Sequence, residues 1–239
     1  MILWLVLFAL VIVISFILAF QSMRDYQESP KHSKVEYGLY LIRNTSGLTT
    51  YILGLIHDQI VKKGLLFSLE RLFKGSKSAL VIYGPKNILT DFSEKLNLLE
   101  LEDYTSIDKE QMMAWEVGVR KPKLAEKEIL NIDNFFKNFP LLSDTEQFWW
   151  QLVLQAKPKK EGGLFTGQIR AVVYCEDFDR RKKLSDVLQN LPPKHFMKVP
   201  KPFTSGQILE FYQTRILDKS ETNPTLTPEE ILKLSLLSS

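Results

Sequence analysis

Cysteine is almost missing from this chain, and its single thiol, Cys175, excludes any intramolecular disulfide framework. That economy agrees with a reducing compartment. Histidine is nearly as scarce: His32, His57 and His195 lie far apart, and neither Cys-x-x-Cys nor His-x-x-x-His spacing occurs, so no metal site is expected. An excess of charge of one sign is missing too, because 31 Lys and Arg against 28 Asp and Glu leave a net +3. Nothing in that balance demands nucleic acid, although a mildly basic face beside an anionic inner leaflet would fit it. A phosphate loop of the Gly-x4-Gly-Lys-Ser/Thr type is also absent. Its nearest approach, Gly84-Pro85-Lys86-Asn87, lacks the second glycine and the Lys-Ser/Thr pair, and Pro85 removes a backbone donor. A plain strand-to-helix turn is expected there, and no cofactor.

What the chain does contain is one long apolar run. From Ile2 to Phe20 the only polar side chain is Ser15, and a span of roughly 20 apolar residues at 1.5 Å rise crosses a hydrocarbon core of about 30 Å. A membrane anchor follows, with Ile2, Leu3, Trp4, Leu10 and Phe20 among its lipid-facing residues. A cleaved signal would need a basic n-region and a small-x-small cleavage site, and neither is present. Arg24, Lys31 and Lys34 follow the run while only the α-amino group precedes it. The positive-inside rule therefore places the N-terminus outside and the remaining chain in the cytoplasm, at the cell membrane in a single pass. Trp4 and Tyr26 suit the two interfaces.

The expected organisation is an anchor over 1–22, a tether over 23–34 containing Pro30, a folded domain over 35–193 and a C-terminal extension over 194–239. The domain is long enough for one core or for two lobes, about 35–110 and 111–193. Val35 to Arg43 alternates as a strand, and Leu48, Ile52, Leu55, Ile56 and Ile60 recur at helical spacing. Leu65 to Phe73 and Ser78 to Tyr83, joined by Lys74-Gly75-Ser76-Lys77, form a hairpin. Asn87 to Leu96 is a helix, Leu98 to Tyr104 and Ala114 to Arg120 are strands, and Ile132 to Phe139 is a short helix ended by Pro140. Glu146 to Gln155 and Phe165 to Cys175 make a second hairpin across a polar loop. Asp177 to Asn190 is a charged amphipathic helix with Phe178, Leu184, Val187, Leu188 and Leu191 on its apolar side. Gly206 to Leu217 fits either a helix or a strand. Thr227-Pro228-Glu229-Glu230 opens a terminal helix to Leu237, with an N-cap, a proline at the first position and acids near the positive end. The fold class is α+β: a single transmembrane helix, then antiparallel or mixed sheet lobes with helices packed on them.

Few residues stand out for chemistry. Cys175 reads as a small core residue, since a nucleophile would need a base such as His57 or His195 beside it. Asp177 with Asp179, and Glu229 with Glu230, occupy helix starts where the macrodipole already accounts for them. Trp149 and Trp150 are adjacent on a strand and face opposite sides, so both can be core, or one can contact a protein partner. A third reading makes them a stacking platform for nucleic acid, with Arg170, Arg180, Arg181, Lys182 and Lys183 as its electrostatic part. The same basic run is equally the solvated face of a helix, or a contact for lipid headgroups or an acidic partner.

The order of elements, the segment Glu146 to Gln155 followed by Gln168 to Cys175, the helix Asp177 to Asn190, and the terminal Leu226-Thr227-Pro228-Glu229-Glu230-Ile231-Leu232 together resemble the N-terminal, non-motor region of conjugative type IV secretion ATPases, in the forms fused to a helicase-like motor. The resemblance spans most of 35–235. It implies a non-catalytic interaction or scaffold subunit docking a separate motor ATPase or channel component, because the motor's phosphate loop is not in this sequence. A membrane-anchored enzyme with no recognisable motif, and an anchored nucleic-acid-binding module, are the alternatives.

Overall fold

The computed structural model describes residues 35–105, 109–119, 139–158, 164–189, 196–197, 199, 203–218 and 223–235. The chain divides into two units, Met1–Val35 and Glu36–Ser239, and every element below belongs to the second. The expected anchor, the tether and the helix Ile132 to Phe139 lie outside the described residues, save Phe139 itself. Among the described residues no helix is long and apolar enough to cross a membrane.

Alternation and β-branched content produce the longer strands that the sequence announces, while the two-residue strands at 196–197 and 225–226 carry no such signal, the latter falling in a stretch, Asn223 to Thr227, that reads as a loop. The strands are β1 (Tyr37–Ile42), β2 (Leu66–Lys74), β3 (Lys77–Pro85), β4 (Leu98–Leu101), β5 (Met112–Val119), β6 (Gln147–Ala156), β7 (Phe165–Tyr174), β8 (Phe196–Met197) and β9 (Thr225–Leu226). They join in one sheet of order β4-β1-β3-β2-β6-β7-β5-β8, and β9 pairs with β7 beyond the point where β5 leaves it. Every pairing is antiparallel. The two stretches that could have formed separate lobes meet at β2 and β6, which pair continuously from Leu66↔Gln155 to Lys74↔Gln147. One continuous sheet results. The hairpin turn between β2 and β3 uses Gly75 at φ 53°, a left-handed conformation that favours glycine.

Among the described residues the α-helices that accompany the sheet are α1 (Thr50–Ile60), α2 (Lys86–Thr90), α3 (Ser93–Leu96), α4 (Phe178–Gln189), α5 (Ser205–Thr214) and α6 (Pro228–Leu234). Each of the longer ones starts where an oxygen side chain satisfies orphan N–H groups. Thr49 caps α1 by accepting from Ile52 N–H, and Thr204 with Gln207 and Thr227 with Glu230 form capping boxes for α5 and α6. The helix expected over Asn87 to Leu96 is broken into α2 and α3, and the strand expected to reach Tyr104 ends at Leu101. Asp103 and Tyr104 are thereby free to fold back over the sheet.

The two faces of the sheet carry different chemistry. Phe67, Leu69, Trp150, Leu152, Leu154, Ile169 and Ala171 share one face by register and are all buried at 2% exposure or less. Helix α1 supplies Ile52, Leu53, Ile56 and Ile60 to this apolar layer, and the α6 end is tied to it by Trp150 Nε1–H donating to Leu234 O at 2.8 Å. Full burial of each Leu, Ile or Phe side chain in this layer contributes roughly 1.5–3 kcal/mol. Across the sheet, Ile208, Leu209 and Tyr212 of α5 pack on Met112, Ala114, Trp149 and Val172. Beside this cluster the second face also carries a group of buried polar residues, Ser68, Glu70, Gln151, Gln168 and Arg170.

Helix α4 sits differently from its expected orientation. Phe178, assigned to the apolar side, is 61% exposed, while Arg181, Leu184 and Ser185 are buried. Positions i, i+3 and i+4 are the ones that face the sheet. The helix is rolled so that Ser185 Oγ donates to Arg181 O at 2.6 Å and lies 3.5 Å from Met113 Sδ.

Candidate functional site

Seven residues stand in one transverse row on the second face: Leu99, Leu41, Val81, Glu70, Gln151, Arg170 and Glu116, each directly opposite the next on adjacent strands. Directly opposed residues on one face are the interacting unit of a sheet. The first three are apolar, and the last four alternate acid, amide, base, acid. Glu70, Gln151 and Arg170 are buried at 0%, 0% and 1% exposure. This row is where titratable groups converge.

The Glu70 carboxylate accepts from Ser68 Oγ at 2.6 Å, Gln151 Nε2 at 3.0 Å and Arg215 Nε at 2.9 Å, and from the Tyr104 hydroxyl. Arg215 is presented from the residue after α5, at φ 55°, and its Nη1 also donates to Asp103 at 2.8 Å. Its guanidinium lies 4.6 Å from the Tyr83 ring centroid. Tyr104 and Tyr212 share a hydroxyl-hydroxyl bond of 2.8 Å, and Trp149 packs against both rings.

Arg170 completes the row. Its guanidinium donates to Gln151 Oε1 at 3.2 Å, Gln168 Oε1 at 2.6 Å, Phe211 O at 2.6 Å and Ile216 O. The last turn of a helix leaves carbonyls without intrahelical partners. Here Arg170 takes Phe211 O, Gln151 Nε2 takes Tyr212 O at 2.9 Å, and Arg215 Nη1 takes Gln213 O at 3.0 Å. Arg170 and Gln151 from the sheet, with Arg215 from the segment after the helix, thus close the negative end of α5.

Burial governs the titration of these groups. Desolvation pushes the Tyr104 and Tyr212 phenols well above the ordinary tyrosine range, with the neighbouring Glu70 charge adding to it. Desolvation likewise pulls Arg170 down to about 10, against the raising influence of Glu116 and Asp218. For Glu116, burial raises the carboxyl despite a 2.8 Å bond from Gln168 Nε2. Burial also disfavours Asp103 ionisation, but the bonds from Arg215 and Thr105 outweigh it and hold the carboxyl low. A cleft beside this end of the row, lined by Glu116, Gly118, Gly167, Gln168 and Asn223 among others, has room for about one water.

The residues singled out in the sequence fall elsewhere or inside. Trp149 and Trp150 are both buried, at 2% and 0% exposure, so each takes the core reading. Arg180 pairs with Glu146 at 2.9 Å and donates to Leu141 O at 2.7 Å. Arg181 is buried with a bond to Cys175 O, while Lys182 and Lys183 are exposed on α4. The four basic residues therefore do not act as one electrostatic surface. Cys175 is buried beside Glu146, its thiol pushed up by burial. Gly84-Pro85-Lys86-Asn87 is an ordinary turn into α2. Lys86 Nζ is held by Glu36 and Glu100 at 2.7 and 2.9 Å, and a Cβ on Gly84 would meet Phe67 at 3.3 Å. Asp177 accepts from Arg180 N–H at 2.6 Å, as a helix-start acid should.

His57 is buried, its Nε2–H donating to Lys157 O at 2.7 Å and its ring meeting Phe165 edge-on. His32 and His195 lie outside the described residues. Among the described residues no group of three or more His, Cys, Asp or Glu is placed to hold a metal ion.

Sequence reasoning missed Glu70, Tyr104, Tyr212, Arg215 and Glu116, although a signal existed. Ser68 and Glu70, Gln151, and Gln168 and Arg170 are polar residues at alternate positions in three strands otherwise rich in apolar residues. Such a set marks a face that needs a polar cover. The chain matches no family model and no curated protein sequence.

Proposed function

We propose that this chain is a non-catalytic interaction or scaffold subunit, held at the membrane by Ile2 to Phe20 with its folded part in the cytoplasm. One observation supports the reading above others. Where titratable groups converge, their hydrogen-bonding capacity is spent inside the molecule: Glu70 on four donors, Arg170 on four acceptors, Arg215 on Glu70, Asp103 and a helix carbonyl. A general acid or base has to reach the proton it transfers, and a phenol or carboxylate sealed beneath α5 does not. The polar row is spent on locking α5 to the sheet, which suits a rigid platform. The resemblance of Glu146 to Gln155, Asp177 to Asn190 and Leu226 to Leu232 to the non-motor region of conjugative ATPases gives the platform its partner class, a separate motor ATPase or a channel component.

Affinity capture of the detergent-solubilised full chain from its native cells tests this reading. Co-purification of an ATPase or channel subunit is expected. Recovery of the chain free of any such component overturns the assignment.

A further inference from the structure

Among the described strands of four or more residues, β4 alone contains no buried side chain. It closes one end of the sheet and pairs there with β1. The ladder shows what its other side offers. Register places Leu99 opposite Leu41 and Leu101 opposite Leu39, and one step further Arg43 N–H donates to Asn97 O at 3.4 Å. Opposed residues of an antiparallel pair alternate between bonded and non-bonded. Leu99 and Leu101 therefore turn their N–H and C=O groups to β1, while Leu98 and Glu100 turn theirs outward past the edge. Among the described residues no hydrogen bond to these outward groups occurs.

Sheet edges are commonly guarded by lysine, proline, a bulge or an inward charge. The segment Leu98-Leu99-Glu100-Leu101 has no lysine and no proline, and its one charge, Glu100, is engaged by Lys86 of its own chain at 2.9 Å. Shortness is the guard that remains, and it limits the length of a pairing rather than its chemistry. Leu99 stands between the two outward-turned residues, 40% exposed, at the apolar end of the transverse row that runs Leu99, Leu41, Val81.

We propose that this edge pairs with the same edge of a second copy of the chain, antiparallel about a two-fold axis at Leu99. Leu98 then lies opposite Glu100 of the second copy, and Glu100 opposite its Leu98, so the outward N–H and C=O groups of both copies satisfy one another. Leu99 falls opposite itself in the closer, non-bonded pair, covering apolar surface with apolar surface and joining the two rows end to end. No glutamate directly opposes a glutamate, and each Glu100 keeps its Lys86. A head-to-tail contact would need the far end of the sheet, where β8 offers two residues. The two-fold contact uses one self-complementary surface twice. Four residues a side fall below a standard interface, so the dimer is weak and reversible. This pairing does not depend on the partner class assigned above.

Oxidative cross-linking of the full chain in detergent tests it. Leu99→Cys is expected to form disulfide-linked dimers roughly tenfold faster than Ser76→Cys, because a non-bonded cross-strand pair brings Cα atoms to about 4.5 Å, within disulfide reach. Ser76 is exposed in the turn between β2 and β3, and the buried Cys175 is common to both variants. Equal rates overturn the proposal. So does a Leu99→Cys chain that stays monomeric, which would leave the edge to a strand of another protein. Glu100→Pro supplies a second measurement, since it deletes an outward N–H without touching the bonds to β1, a change that edge strands tolerate. Added to Leu99→Cys it is expected to slow dimer formation about fivefold. Glu100→Ala loses the ion pair with Lys86 but keeps the N–H, and should leave the rate within about twofold. A rate that proline leaves unchanged, or that alanine lowers as much, overturns the two-fold pairing.

Discussion

Glu70 and Arg215 are 145 residues apart in the chain, yet Arg215 Nε donates to Glu70 Oε1 at 2.9 Å with both side chains at 2% exposure or less. Arg215→Ala would leave the Glu70 carboxylate buried beside Ser68, Gln151 and Tyr104 without its cation. A loss of about 3–5 kcal/mol is expected, the usual result of breaking a buried pair from one side. Glu70→Gln keeps the shape and most hydrogen bonds and should cost less. Urea unfolding midpoints of the two variants check the order.

Gly167 owes its place to Leu226 rather than to backbone conformation. A Cβ there would lie 2.5 Å from Leu226 Cδ1 and 3.2 Å from Leu154 Cδ2. Gly167→Ala should destabilise by about 1–3 kcal/mol through overpacking, and Leu226→Ala in the same chain should recover part of that loss. Thermal unfolding of the single and double variants measures the coupling.

Alkaline stability should report the buried phenols. Tyr104 and Tyr212 are raised in the folded state, so their contribution is fully present below the unfolded value of about 10 and is lost as pH climbs toward the folded values. Arg170 acts oppositely: its folded value near 10 lies below the unfolded one, so its penalty is relieved as pH rises past 10. Tyr104→Phe removes one falling contribution and leaves the rising one. Its stability should decline less steeply above pH 10 than that of the unaltered chain, as read by denaturant midpoints across the pH series.

On the acid side, Asp103 is held low by Arg215 and Thr105 against its burial, and Glu146 chiefly by Arg180. Depressed carboxylates give stability that is present above the unfolded value of about 4 and lost as pH falls through the folded one. Asp103→Asn should be less stable at neutral pH and flatter toward acid. The same denaturant series run from pH 7 to pH 3 tests both parts.

Helix starts offer a milder check. Thr204→Ala and Thr227→Ala each remove a side chain that accepts from the third helical residue, at 3.3 Å in both cases. Each should cost about 1 kcal/mol, and serine at either position should restore most of it.

Much of this fold was legible because its signals are local. Alternation in Glu146 to Gln155 and Phe165 to Cys175 gave the β6–β7 hairpin, Lys74 to Lys77 marked the turn between β2 and β3, and Thr227-Pro228 opened α6. Where the reading slipped, a long-range contact had decided. The hydrophobicity of Phe178 points to the buried side of α4, but Arg181, Leu184 and Ser185 are buried there and Phe178 is exposed. Leu98 to Tyr104 alternates well enough to continue as a strand, yet the Tyr104 hydroxyl finds Glu70 and Tyr212 by leaving the sheet. The candidate site was the least legible part, since Glu70, Gln151, Arg170 and Arg215 come from four segments with no common spacing.

The sequence by itself determined the apolar run of Ile2 to Phe20, the α+β class, the strand and helix periods and the caps, because each depends on residues within a turn or two of one another. Only the tertiary structure decided that β2 and β6 join the two halves into one sheet, that both tryptophans are core, and that a polar row lies sealed beneath α5. Register and cover set those outcomes: whether a polar side chain on a strand meets water or a helix end depends on which strands pair and what crosses above them, and no local pattern carries that information.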